Sequence, residues 1–83
     1  MFIVYIIQSQ RDYSYYTGHT NDINDRLERH NQGRNKYTKS KVPWILVYKE
    51  EYKTKSEATK REYEIKKKKS KKYIEWLIQN KII

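Results

Sequence analysis

The chain contains no cysteine. That excludes disulfides and every thiolate zinc site, and leaves the redox compartment undetermined. Long apolar runs are missing too. The longest, Phe2–Ile7, is too short to cross a bilayer, and no basic segment precedes it as in a signal peptide. No stretch pairs its lysines with a strong apolar helical face, so no membrane partner is expected and a cytoplasmic location is the default. Acids are scarce: 10 Asp and Glu stand against 19 Lys and Arg, for a formal net charge of +9. Such an excess favours a polyanion, DNA first and RNA by the same chemistry, because phosphate contacts release counterions. The bland alternative is a basic, soluble surface. With 83 residues and 36% hydrophobic content, residues 1–83 suffice for a single domain with a small core, to which tyrosine and tryptophan must contribute.

The pattern of what is present predicts an α+β fold in the order β-β-α-β-α-α, a small three-stranded antiparallel sheet flanked by helices. Two β-like runs, Phe2–Gln8 and Ser14–Thr20, are split by the polar stretch Gln10–Tyr13, which reads as a hairpin. With that loop, Tyr5 opposes Gly18 and Ile7 opposes Tyr16. Tyr5, Tyr16 and Gly18 then share one face, while His19 falls on the other. A glycine beside two phenols leaves room for approach. Thr20-Asn21-Asp22 offers N-caps for a helix over 22–32, with Ile23 and Leu27 inside and Gly33 as a left-handed cap. Arg26 and His30 lie four residues apart and are neighbours on one flank of it. Arg34–Pro43 reads as an irregular basic segment, and Trp44–Tyr48 as the third strand.

Thr54-Lys55-Ser56-Glu57 is a capping box that opens a helix to about Lys69. Ala58 and Ile65 mark its inner stripe, and Glu62 falls on that stripe too. A carboxylate facing inward needs a partner, because an unpaired buried charge is costly. Six lysines, Lys66–Lys69 with Lys71 and Lys72, surround Ser70. Ser70 can cap a last helix with Ile74, Leu77 and Ile78 on one face and Trp76 beside it.

Ile3-Val4-Tyr5 and Tyr16-Thr17-Gly18, followed by Arg26, His30 and Glu62 at fitting distances, resemble the GIY-YIG nuclease superfamily. The resemblance runs across nearly the whole chain and is to its small stand-alone bacterial type, similar to the catalytic N-terminal domain of the excision-repair incision subunit. Ile3 stands where the family has glycine, and Val4 and Thr17 where it has isoleucine. None of these changes removes a hydroxyl, guanidinium or carboxylate. The resemblance implies the same order of elements and hydrolysis of a phosphodiester with one weakly held divalent cation, Mg²⁺ or Mn²⁺.

On that resemblance Glu62 would hold the metal, and Tyr5 would act as general base or orient the attacking water, assisted by Tyr16. Arg26 would clamp the phosphate, and His30 would tune the phenols. From the residues alone other readings stay open. Tyrosine packs well in strands, and ionising a phenol of pKa near 10 at pH 7 costs roughly 4 kcal/mol. Arg26 could instead be the partner of Glu62. Lys36, Tyr37, Lys39 and Lys41 in the loop, and Lys66, Lys67, Lys71 and Lys72 after the metal-bearing helix, are candidate nucleic-acid contacts, with Tyr37 able to stack on a base. The same lysines can be merely solvated. The leading expectation is a metal-dependent DNA endonuclease with little sequence preference, or one that reads DNA structure or relies on a protein partner for targeting. The alternatives are a non-catalytic nucleic-acid-binding module that keeps the fold, and a protein-interaction domain.

Overall fold

The computed structural model describes residues 1–80. Its elements are β1 (Phe2–Ser9), β2 (Tyr15–Thr20), α1 (Ile23–Asn31), β3 (Trp44–Tyr52), α2 (Lys55–Lys68) and α3 (Lys71–Gln79), with a short 3₁₀ turn at Lys39–Lys41 before β3. The fold is α+β in the order β-β-α-β-α-α, with a three-stranded antiparallel sheet ordered β2-β1-β3. β1 is central, so Val4, Tyr5, Ile6 and Ile7 are all buried and its apolar run needs no alternation. The hairpin register puts Tyr5 opposite Gly18 and Ile7 opposite Tyr16. Toward β3 the ladder shifts between Ile6 and Ile7, a bulge that takes up one extra residue.

Side-chain alternation splits the core into two layers. Val4 and Ile6 pack with Ala58 and Ile65 of α2 and Leu77 of α3. Tyr5, Ile7 and Trp44 pack on the opposite face, against Tyr16 and against Ile23 and Leu27 of α1. The three helix starts are capped by side chains: Asp22 accepts from Asp25, Thr54 from Glu57, and Ser70 from Tyr73. Each such cap contributes about 1 kcal/mol.

One expectation is corrected. β3 runs to Tyr52, beyond Tyr48, because Lys49 to Tyr52 pair with Tyr5 to Phe2. It is an edge strand, where charged residues are tolerated, so its polar end hid it from the hydrophobic pattern. On α3, Leu77, Ile74 and Ile78 pack inward and Trp76 lies beside that face, as the spacing predicts. Trp76 is 56% exposed and stacks on Tyr73, with ring centroids 6.2 Å apart.

Candidate active site

Tyr5 arises from the middle of β1 and is 1% exposed. Its ring lies over Gly18 of β2, where a Cβ would come within 2.6 Å of the phenol oxygen and 2.8 Å of Cζ. Glycine is needed there so that the ring can cross the neighbouring strand. The Tyr5 hydroxyl bonds His30 Nε2 at 2.9 Å, and His30 Nδ1 bonds Thr38 Oγ1 at 2.7 Å. His30 and Thr38 are fully buried. Half-buried Tyr16 packs edge-on to His30 and Trp44, with centroids 5.1 and 6.5 Å apart.

Burial, then the neighbouring Tyr16, pushes the Tyr5 phenol up to about 12, although the Arg26 guanidinium pulls the other way. Burial and then the charge of Arg26 hold His30 below its ordinary value, so the imidazole is neutral at pH 7. A neutral imidazole donates from one ring nitrogen and accepts at the other, and here Nδ1 meets the Thr38 hydroxyl and Nε2 the Tyr5 hydroxyl. Half-buried Arg26 stands at the rim, and among the described residues no carboxylate pairs with it. It lines two clefts, one with Phe2, His19, Thr20, Asn21 and Lys55, the other with Arg29, His30, Arg34 and Asn35.

Glu62 comes from the opposite layer. Its partners are His19 of β2, by a short hydrogen bond to Nδ1, and Lys66, whose Nζ lies 2.5 Å from Oε2. The alternative that Arg26 satisfies Glu62 is therefore excluded. Lys66 also sits 5.6 Å from the Tyr16 ring centroid, so Glu62, Lys66 and Tyr16 meet around the outer edge of β2. Glu62 is close enough for its charge to oppose ionisation of Tyr5. Burial tends to raise the Glu62 carboxyl, but Lys66 and His19 outweigh it and hold the group below its ordinary value.

The candidate basic residues do not form one surface. Lys66 and Lys71 line a groove of about 490 Å³ along β2 with Lys69 and Tyr16, whereas Lys67 faces a separate cleft with Lys68 and Arg61. Lys72 is exposed. In the loop, Tyr37 is 70% exposed under the Lys36 ammonium, and Lys39 is exposed. Lys41 is instead half-buried, paired to Asp12 at 3.4 Å, with its carbonyl accepting from Ser9. Sequence reasoning ranked His19 low and did not single out Thr38 or Arg29. His19 could have been found, because its register places it on the face that Ala58, Glu62 and Ile65 cover.

The metal question turns on the donor set. Among the described residues no group of three or more His, Cys, Asp or Glu gathers. A single carboxylate supplies hard oxygen donors, which fits a magnesium ion that keeps most of its waters. No helix among the described residues is long and apolar enough to cross a membrane.

Three comparisons bear on this geometry. A family model described as the GIY-YIG catalytic domain matches residues 1–74. The UPF0213 protein of Staphylococcus aureus strain Mu3 is 58% identical over 64 residues, 76% of this chain and 77% of that protein, and UPF0213 protein SAV0488 of strain Mu50 matches equally. Among solved structures, the solution NMR structure of the UPF0213 protein BH0048 from Bacillus halodurans aligns with a TM-score of 0.62 at 37% identity, covering 98% of this chain and 86% of that one.

Proposed function

This chain belongs to the GIY-YIG catalytic domain family, a nuclease family, and on that premise we propose that it is a metal-dependent endonuclease hydrolysing phosphodiester bonds in DNA. One observation carries the reading. A half-buried arginine, without a carboxylate partner among the described residues, stands at the rim of a face that holds two phenols around a neutral, buried imidazole. A fixed, partly desolvated cation of that kind binds a phosphate and stabilises charge as it develops.

Arg26 binds the scissile phosphate. Tyr5, held by His30 and kept neutral by burial, orients the attacking water through its oxygen lone pairs. As that water loses its proton to the phenol oxygen, the phenol proton passes to Nε2 of His30, in the tautomer that carries its own proton on Nδ1 toward Thr38. Tyr16 closes the same face beside His30. Glu62 would hold one Mg²⁺ or Mn²⁺, whose chemistry there is to neutralise charge on the phosphate and the leaving oxygen. His19 keeps the Glu62 carboxylate oriented, and Lys66, with 48% of its side chain exposed, is the partner that can yield its place. The exposed Lys36, Tyr37, Lys39, Lys67, Lys71 and Lys72 serve as outlying contacts to the polyanion, and the charge of +9 draws it in.

One feature favours a second reading, a nucleic-acid-binding module without catalysis: Glu62 is already neutralised by Lys66 and His19. The test incubates the protein with labelled single-stranded, duplex and branched DNA, and with RNA, in Mg²⁺ or Mn²⁺ beside Glu62→Ala. Divalent-dependent cleavage of DNA that vanishes in the variant supports the endonuclease, and cleavage of RNA alone corrects its substrate. Salt-sensitive binding without cleavage establishes the second reading. No binding at moderate salt leaves a protein-interaction domain.

A further inference from the structure

Arg26 lines two clefts, one toward β2 and one toward the end of α1, and of the second the chemistry above uses only Arg26 and His30. This second cleft, about 290 Å³, is lined by Arg26, Arg29, His30, Arg34 and Asn35 and, among the described residues, by no acidic one. Three guanidiniums facing one polar cleft repel one another unless an anion lies between them. Arg29 does pair with Asp25 at 3.1 Å, but both side chains are about half exposed, and such a pair is worth little and yields readily.

The cleft is built by the end of α1. Gly33 takes a positive φ of 73° and turns the chain back, so that the Gly33 amide donates to His30 O and the Arg34 amide to Arg29 O, each at 3.1 Å. This paired capping motif fixes Arg34 against the last turn of the helix. Thr38, bonded to His30, ties down the far end of the loop. Asn35 Oδ1 accepts from the Tyr37 amide at 2.8 Å, so the side-chain orientation is set and its NH₂ is left to donate. Guanidinium forks and an amide gathered around a polar hollow match phosphate oxygens.

We propose that this cleft is a second phosphate subsite, in which Arg29, Arg34 and Asn35 hold the backbone phosphate adjacent to the one on Arg26. The inference rests on the nuclease reading and adds the register to it. Arg26 and Arg29 are three residues apart on one helix, about 5–6 Å between Cβ atoms, the order of one nucleotide step. A strand anchored at both places presents one chosen bond to Tyr5. The adjacent phosphate thus selects the scissile one.

The test is competition without metal, in EDTA, against a short fluorescein-labelled oligothymidylate. The competitors are a thymidine dinucleotide carrying a 5′-phosphate and the same dinucleotide without it. Wild-type protein should prefer the phosphorylated form by about tenfold or more, the worth of one charge-assisted contact. Arg34→Gln, at an exposed position and with an unchanged melting temperature, should bring that preference close to unity. Asn35→Ala should reduce it less, and Arg34→Lys should restore part of it. A folded Arg34→Gln protein that keeps the full preference, or a wild type with none, overturns the subsite while leaving the nuclease reading in place. A wild type that binds no oligothymidylate even at low salt overturns both.

Discussion

Glu50 and Glu62 invite comparison, because each has 17% of its side chain exposed and both are held below the ordinary carboxylate range. In both, burial works the other way and hydrogen-bonded partners outweigh it. The partners differ in kind. Glu50 receives a bidentate fork from Arg61 at 2.8 and 3.1 Å, the Tyr52 hydroxyl at 2.6 Å, and the Tyr48 hydroxyl in a short hydrogen bond. All its acceptor capacity is spent inside the fold, between β3 and α2. Glu62 has a lysine and a histidine, each partly exposed, at the open edge of β2. Equal burial therefore hides opposite roles. Glu50 is a clasp, and Glu62, on the function proposed above, is a ligand whose cations can be exchanged.

The comparison breaks most sharply on charge removal. Glu62→Gln should lower divalent-dependent cleavage by at least about a hundredfold, with little loss of stability and nearly unchanged DNA affinity. Glu50→Gln should do the reverse, costing about 1–3 kcal/mol of unfolding free energy because the Arg61 fork loses its charged acceptor. Cleavage assays beside urea titrations read both, and a large stability loss at Glu62 with full cleavage would make it a second clasp.

The tyrosines around each carboxylate sharpen the same point. Tyr5, Tyr48 and Tyr52 are all pushed up to about 12, with burial the leading cause in each. Removing only the hydroxyl, Tyr5→Phe should cost about 10²–10⁴-fold in cleavage and little stability. Tyr52→Phe should leave cleavage intact and cost about 1 kcal/mol. Gly18→Ala is expected to fall between them. Its Cβ would displace the Tyr5 ring, costing about 1–3 kcal/mol and lowering cleavage together.

The smallest effect concerns pH. His30 is held below its ordinary value by burial first, so the folded state takes up a proton less readily than the unfolded chain. Its contribution is complete above about pH 6.5, and is lost as pH falls from there through the folded value, by at most about 1.4 kcal/mol per pH unit. Denaturant midpoints should drop between about pH 7 and pH 5.5 in wild type. A profile as steep in His30→Gln would assign the loss to other groups. The carboxylates Glu50 and Glu62 lose their share only lower, as pH falls below their ordinary range.

Much of the frame was legible because its causes are local. The polar Gln10–Tyr13 loop between two β-like runs set a register that brings Tyr5 over Gly18. The Thr54–Glu57 box and Ser70 announced their helices, and Gly33 its left-handed cap. The inward position of Glu62 followed from Ala58 and Ile65 at helical spacing. The end of β3 was not legible, since Lys49 to Tyr52 carry no apolar signature and are held by pairing to β1.

What the sequence by itself determined is the order of elements, the faces of their side chains, and that Glu62 must have a cation. It could not say which cation. With 19 Lys and Arg available, Coulomb attraction names no partner, because it depends on distance and not on residue type. Only the packing of α2 on the Val4 face, with α1 on the Tyr5 face, gave Glu62 to His19 and Lys66 and left Arg26 without a carboxylate among the described residues. The link from Thr38 to His30 is likewise tertiary, since it spans a loop whose course no spacing rule prescribes. Periodicity and caps act within a few residues and can be read along the chain, whereas the partner of a charge is chosen by which layer each element joins.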